Sequence, residues 1–249
     1  MDKKGLLMEP QFDNPEYYLT SGERTKVTPA VQEFADSVPG VTDEEIALNI
    51  LKIIHKNFMT PGQIKRKLEE VTKSEKEARR LLDLFKFKRS ADKILKSGYL
   101  TGCCDYSTLY TALARARGIP AMQVITVLDQ NGFQNPDANS VGHFFTAVFI
   151  RNKEGKNGEW RIIDTARVVR NDENVCPFKI EDRNIVNQDG DQFYAIAYTR
   201  DYSDIVVKEQ DTERKINNVK NMIRIQTDAF NKSDKDDIRF YRNSKNKLK

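Results

Sequence analysis

The side chains able to act as nucleophile or base near neutral pH are few: Cys103, Cys104, Cys176, His55 and His143. Three cysteines argue against a disulfide framework, and adjacent thiols do not readily reach bridge geometry. Thiol reactivity therefore becomes the question. Gly102-Cys103-Cys104-Asp105-Tyr106-Ser107 opens a segment that reads as helix over 102–117, stopped by Gly118-Ile119-Pro120. Both thiols fall in its first turn, where unpaired N–H groups and the helix dipole favour a thiolate. Helical spacing places Cys103 with Ser107, Tyr110 and Ala114, and Cys104 with Thr108, Thr111 and Arg115. The first face is apolar, so Cys103 is expected to point towards a sheet and Cys104 away from it. The plainer reading of such a pair is two small buried hydrophobes.

A histidine and an aspartate lie downstream on what reads as a hairpin. His143 opens the alternating strand Phe144–Ile150, a glycine-containing loop follows, and Trp160–Ile163 returns the chain to Asp164. If Ile150 pairs with Asn157, His143 sits opposite Asp164; if Ile150 pairs with Glu159, the two are one diagonal step apart. Either register projects both from one sheet face, within side-chain reach. An aspartate beside an imidazole orients it and stabilises the imidazolium. Cys103, His143 and Asp164 then form a nucleophile, base and orienting group. A thiolate would attack a carbonyl carbon to give a thioester, with the Cys103 N–H donating to the oxyanion. Tyr99 is a conjecture for a second donor. His55, near Ile54 and Phe58 on a predicted helix, has an ordinary structural role by default.

Other elements must position these groups. Thr28-Pro29 starts one helix, and Thr42-Asp43-Glu44-Glu45 is a capping box opening a second, with Ile46, Ile50, Ile53 and Ile54 on one face. Pro61-Gly62 ends that helix, and one charged helix is expected over about 63–86. After Pro120 the period becomes two, predicting strands at Met122–Leu128, Phe144–Ile150, Trp160–Ile163, Gln192–Thr199 and Asp204–Lys208. A final helix is expected over about 212–230. Helices followed by an antiparallel sheet indicate an α+β fold. The 249 residues read as a single domain: a helical part over 1–89, a core over 90–210, and a C-terminal helix with a basic tail over 211–249.

Composition narrows the function. The chain is 39% hydrophobic and 31% charged, too apolar for wholesale disorder, and no run approaches a membrane-spanning length. Net charge is +4, with twelve Lys/Arg against seven Asp/Glu in residues 208–249. Without an accompanying nucleic-acid motif, that tail reads as a solvated end, and no nucleic-acid partner is expected. Asp129-Gln130-Asn131-Gly132 does not fit an EF-hand, and two histidines without a CxxC do not make a zinc site, so neither metal nor cofactor is expected. Reactive thiols and the lack of a signal-peptide core point to the cytoplasm, with a secreted mature form as the alternative.

Gly102–Leu109, followed by Ala112-Leu113-Ala114-Arg115-Ala116-Arg117-Gly118-Ile119-Pro120-Ala121, resembles the core motif of the transglutaminase-like superfamily. Aligned through Asp105-Tyr106-Ser107, the family's nucleophile falls on Cys103, its strand histidine on His143, and its Trp-x-x-x-Asp ending on Trp160 to Asp164. The resemblance covers about residues 90–166. It implies a papain-like fold, with a nucleophile helix against an antiparallel sheet, and a Cys-His-Asp enzyme acting on an amide or peptide. The acyl acceptor is water in a protease or amidase and an amine in a transglutaminase. A protein or peptide is the implied substrate partner. His143-Phe144-Phe145 and Asp164-Thr165-Ala166 depart from the family's frequent His-Ala-Trp and Asp-Pro-Thr, altering the wall of the site without removing a catalytic group. Cys104 beside the nucleophile is unusual, either inert or a persulfide or mixed-disulfide switch. The alternative from another class is a catalytically silent protein-binding module with the same fold.

Overall fold

The computed structural model describes residues 11–85, 88–128, 142–152, 155, 157–167, 175–177, 184–186 and 192–201. Six α-helices come first: α1 Pro29–Asp36, α2 Asp43–Asn57, α3 Pro61–Thr72, α4 Glu75–Phe85, α5 Ala91–Ser97 and α6 Cys103–Ala116. Six strands follow: β1 Ala121–Leu128, β2 Gly142–Arg151, β3 Gly158–Ile163, β4 Val175–Pro177, β5 Asn184–Val186 and β6 Gln192–Thr199. The strands form one sheet in the order β4-β3-β2-β1-β6-β5, every neighbour antiparallel. This is the expected α+β arrangement.

Caps set most of the helix starts. Thr28 accepts from the Val31 N–H, and Thr42 and Glu45 form the expected reciprocal box. Pro61, expected to close the preceding helix, instead opens α3 as its first residue behind a second box, Thr60 with Gln63. The single charged helix expected over 63–86 is two helices. The chain breaks at Lys73, a non-glycine residue in the left-handed region with φ 55°. Ser74 then restarts it by accepting from the Glu77 N–H. β4 and β5 have three residues each, too short to show a period of two. The expected strand at 204–208, the helix at 212–230 and the basic tail lie outside the described residues.

Two apolar layers sandwich the sheet. On one side, residues of α1, α2, α5 and α6, including Val31, Ile50, Ile54, Ile94 and Leu113, pack with Ala121, Val148, Ile150 and Ile163. On the other, Tyr18 joins Met122, Val124, Phe145, Ala147, Trp160, Ile162, Phe193 and Tyr198. Helix α6 is the axis of the first layer, and every residue from Cys104 to Arg115 is buried. Ser107 donates to the Phe145 carbonyl of β2 and pairs with Thr146 Oγ1 at 2.9 Å. Thr108 accepts from Gln123 of β1, and the Tyr110 hydroxyl donates to the Ala47 carbonyl of α2.

The start of α6 is held by a buried ion pair. The Asp105 carboxylate accepts from the N–H and hydroxyl of Thr101 and from the Arg89 guanidinium. Arg89 also donates to Ser97 Oγ and the Tyr99 carbonyl, and its guanidinium lies 4.5 Å from the Tyr99 ring centroid. Residues 98–100 pair with Met59, which donates to the Gly98 carbonyl and accepts from the Leu100 N–H. The side chains of Arg89 and Asp105 are 1% and 2% exposed, so removing either leaves the other charged in an apolar interior. Arg89→Leu is expected to cost about 3–5 kcal/mol in urea unfolding. The double variant Arg89→Leu/Asp105→Leu should cost less than the two single changes together, because no orphan charge remains.

Candidate active site

Cys103 is the first residue of α6 and His143 the second residue of β2. The hairpin takes the second of the two expected registers: Ile150 pairs with Glu159 and Thr146 with Ile163. Asp164 follows directly on β3, one diagonal step from His143. The His143 Nε2–H donates to Asp164 Oδ1 at 2.9 Å, with the two side chains 16% and 4% exposed. Cys103 is the second group whose contact and charge raise the pKa of the imidazole. With Nε2 engaged by Asp164, Nδ1 is the ring nitrogen left for the thiol. The structure thus brings Cys103, His143 and Asp164 into one chain of contacts.

The reason Cys103 and not Cys104 meets the histidine differs from the expected one. Helix α6 has no solvent face, and the side carrying Thr108 packs on β1 as closely as Ser107 packs on β2. Cys104 is buried and Cys103 is the partly exposed thiol. The pleat puts His143 on the side of Phe145, whereas Ser107 meets the opposite side through Thr146. Cys103 and His143 therefore meet at the end of the sheet, where α6 and β2 both begin, and not through its face.

The surroundings favour a charged imidazole. Burial alone would lower the His143 pKa. The hydrogen bond to Asp164 and the contact with Cys103, together with the charges of both groups, outweigh burial and carry it from 6.5 up to about 10. Phe145 meets the imidazole edge-on at 4.7 Å between centroids, and Phe193 lies 5.3 Å away and tilted by 33°. These rings exclude water from one side of the pair and strengthen its attraction. Asp164 is steadied by its own turn: Oδ1 also accepts from the Ala166 N–H, and Oδ2 lies 3.8 Å from Arg167 Nε.

His55 has a place that helical spacing did not suggest. Its ring stacks on Tyr106, with centroids 5.1 Å apart, and its Nε2–H donates to the Thr165 carbonyl at 3.1 Å. Burial lowers its pKa below 6.5, against opposing contributions from Thr165, Asp164 and Arg167. Tyr99 sits against Arg89, as described above. Of Cys176 only the backbone is described, within β4. Among the described residues, no group of three or more His, Cys, Asp or Glu side chains could hold a metal ion, and no helix is long and apolar enough to cross a membrane.

Two histidines in one chain make this electrostatic arrangement readable by NMR. His143 should titrate near 10 and His55 below 6.5, with Asp164→Asn bringing the first of these down. A raised pKa also links to stability. The imidazolium contribution is complete below about 6.5 and is lost as pH rises through about 10. The stability margin of the wild type over Asp164→Asn should therefore shrink across that window, and a margin that stays constant would contradict the pairing.

Residues 54–165 match the family model of the transglutaminase-like superfamily. No curated protein matches the chain. A solved structure described as "a putative cysteine protease" from Cytophaga hutchinsonii is similar at 20% identity, over 80% of this chain and 50% of that chain, with a TM-score of 0.45. This chain therefore spans about half the length of that protein. Cys103, His143 and Asp164 all lie within the stretch that matches the family model.

Proposed function

We propose that the protein is a cysteine acyl-transfer enzyme acting on an amide or peptide carbonyl through Cys103, His143 and Asp164. The observation that carries this reading is the His143–Asp164 hydrogen bond at 2.9 Å with Cys103 on the same imidazole. In this reading His143 takes the thiol proton, and Asp164 holds the resulting imidazolium. The Cys103 sulfur attacks the carbonyl carbon, a C–S bond forms, and the carbonyl electrons move onto oxygen. The N–H of Cys103, the first residue of α6, can donate to that oxyanion. Collapse breaks the C–N bond while His143 gives its proton to the leaving amine. Water or a second amine then attacks the thioester, His143 accepts its proton, and the C–S bond breaks to return the thiolate.

The partner in this reading is a protein or peptide carrying the amide, and the acceptor distinguishes hydrolysis from transamidation.

Iodoacetamide labelling, with each cysteine mapped by peptide mass spectrometry, tests the proposal. Cys103 should react faster than Cys104 and Cys176, and His143→Ala should slow it by about tenfold or more, since the thiolate is the reacting species. With glutamine peptides and an amine acceptor, Cys103→Ser and His143→Ala should each lose about a hundredfold or more of any turnover. If Cys103 is no faster than the other two thiols and indifferent to His143→Ala, the catalytic reading fails and a silent binding module takes its place.

A further inference from the structure

We infer that His55 is a positioning residue: from α2 it grips the turn that carries Asp164 and so sets where that carboxylate meets His143. The inference rests on the reading of Cys103, His143 and Asp164 given above.

The β2–β3 ladder ends one residue short of Asp164, at the pair Thr146 and Ile163. Past that point the bonds from Ala166 N–H to Asp164 Oδ1 and from Arg167 N–H to the Asp164 carbonyl are internal to the turn. Such bonds fix its shape but move with it. A bond that ties this backbone to another element comes from α2, where the His55 Nε2–H donates to the Thr165 carbonyl. The backbone of Arg167 acts on the same ring, opposing the effect of burial on its pKa. The opposite attachment of His55 is its stack on Tyr106, three residues after Cys103 on α6. One imidazole therefore touches both the helix that presents the thiol and the turn that presents the carboxylate.

The ionisation of His55 suits that task. The titratable groups against it are Tyr106 from α6 and Asp164 from the turn. Burial favours the neutral ring, and a carbonyl acceptor requires the proton on Nε2. A neutral donor can hold the turn without competing with His143 for the charge of Asp164. A lysine or arginine in its place would compete.

The test uses His55→Phe, which keeps a ring against Tyr106 but cannot donate, and His55→Gln, whose amide can replace the Nε2 donor. Each variant leaves His143 as the sole histidine of the chain, so its imidazole NMR titration is read without overlap. The His143 midpoint should fall by about one unit or more in the Phe variant and return most of the way in the Gln variant. A Phe variant that folds and keeps the wild-type midpoint overturns the inference, as does a Gln variant shifted as far as Phe. If the Phe variant does not fold, His55→Asn replaces it, since its shorter amide falls short of Thr165. A lowered midpoint in Asn against Gln supports the inference, and equal midpoints overturn it. The outcome is separable from that of the catalytic reading. A sluggish Cys103 with a responsive His143 sinks the enzyme and leaves the positioning role, and a fast Cys103 with an unresponsive His143 does the reverse.

Discussion

The buried pair between Arg89 and Asp105 is the constraint on which the rest of the site depends. An ion pair in an apolar interior contributes little net stability compared with well-packed hydrophobic residues, because both charges lose their water. What it contributes here is geometry. Asp105 accepts from Thr101 and Arg89, and Arg89 reaches back to Ser97 and Tyr99, so the approach to α6 is fixed on both sides of Gly102. Cys103 then has a single position as the first helical residue. The pair also balances charge. A bare carboxylate two residues from Cys103 would oppose negative charge on the sulfur and offset the helix dipole. Arg89 cancels that field and leaves the positive end of α6 facing the thiol.

A second balance concerns His143. Its ring is mostly buried, which by itself favours the neutral form, yet the contacts with Asp164 and Cys103 reverse the preference. The reversal depends on distance and dryness together. At 2.9 Å from Asp164, with Phe145 and Phe193 excluding water, the attraction acts through a medium far less screening than bulk solvent. The polar contacts sit at the end of the sheet because its two faces are already filled by apolar layers. A charged pair placed within either layer would lose its hydration without gaining access to a substrate.

Much of this was legible in the sequence where the signal was local. His143 and Asp164 could be paired because a hairpin register depends on little more than the length of its loop, and both plausible registers put the two within reach. Cys103 could be chosen, but the facing argument behind that choice does not hold. A helix buried on every side has no solvent face to orient it, and the alignment of Asp105-Tyr106-Ser107 carried information that periodicity lacked. The break between α3 and α4 left a readable mark, Ser74-Glu75-Lys76-Glu77, a helix-start pattern. It was hidden by the absence of glycine or proline at Lys73. Arg89 and His55 left no such mark. Arg89 lies in a charged stretch where arginine normally faces solvent, and its partner is sixteen residues away. His55 bonds a backbone carbonyl 110 residues distant, and a carbonyl is present at every position whatever the side chain.

Helix α2 shows how these separate contacts become one geometry. At its first turn, Arg151 at the end of β2 grips Asp43 through both carboxylate oxygens, and Arg161 of β3 reaches Glu44. Twelve residues later, about 18 Å along the axis, His55 holds the turn that follows β3. Between these points the Tyr110 hydroxyl of α6 donates to Ala47, and Tyr106 stacks on His55. The same helix is thus fastened to the β2–β3 hairpin at both ends and to α6 along its length. Partly exposed ion pairs alone would give such a brace little energy. Its rigidity comes from the apolar seam of Ala47, Ile50, Leu51 and Ile54 packed on α6, and the polar contacts fix the register at which that seam sits. A shift of α2 along its axis would move the turn of Asp164 and the helix of Cys103 by different amounts. The separation of the thiol from the carboxylate is therefore determined by an element that contributes neither group.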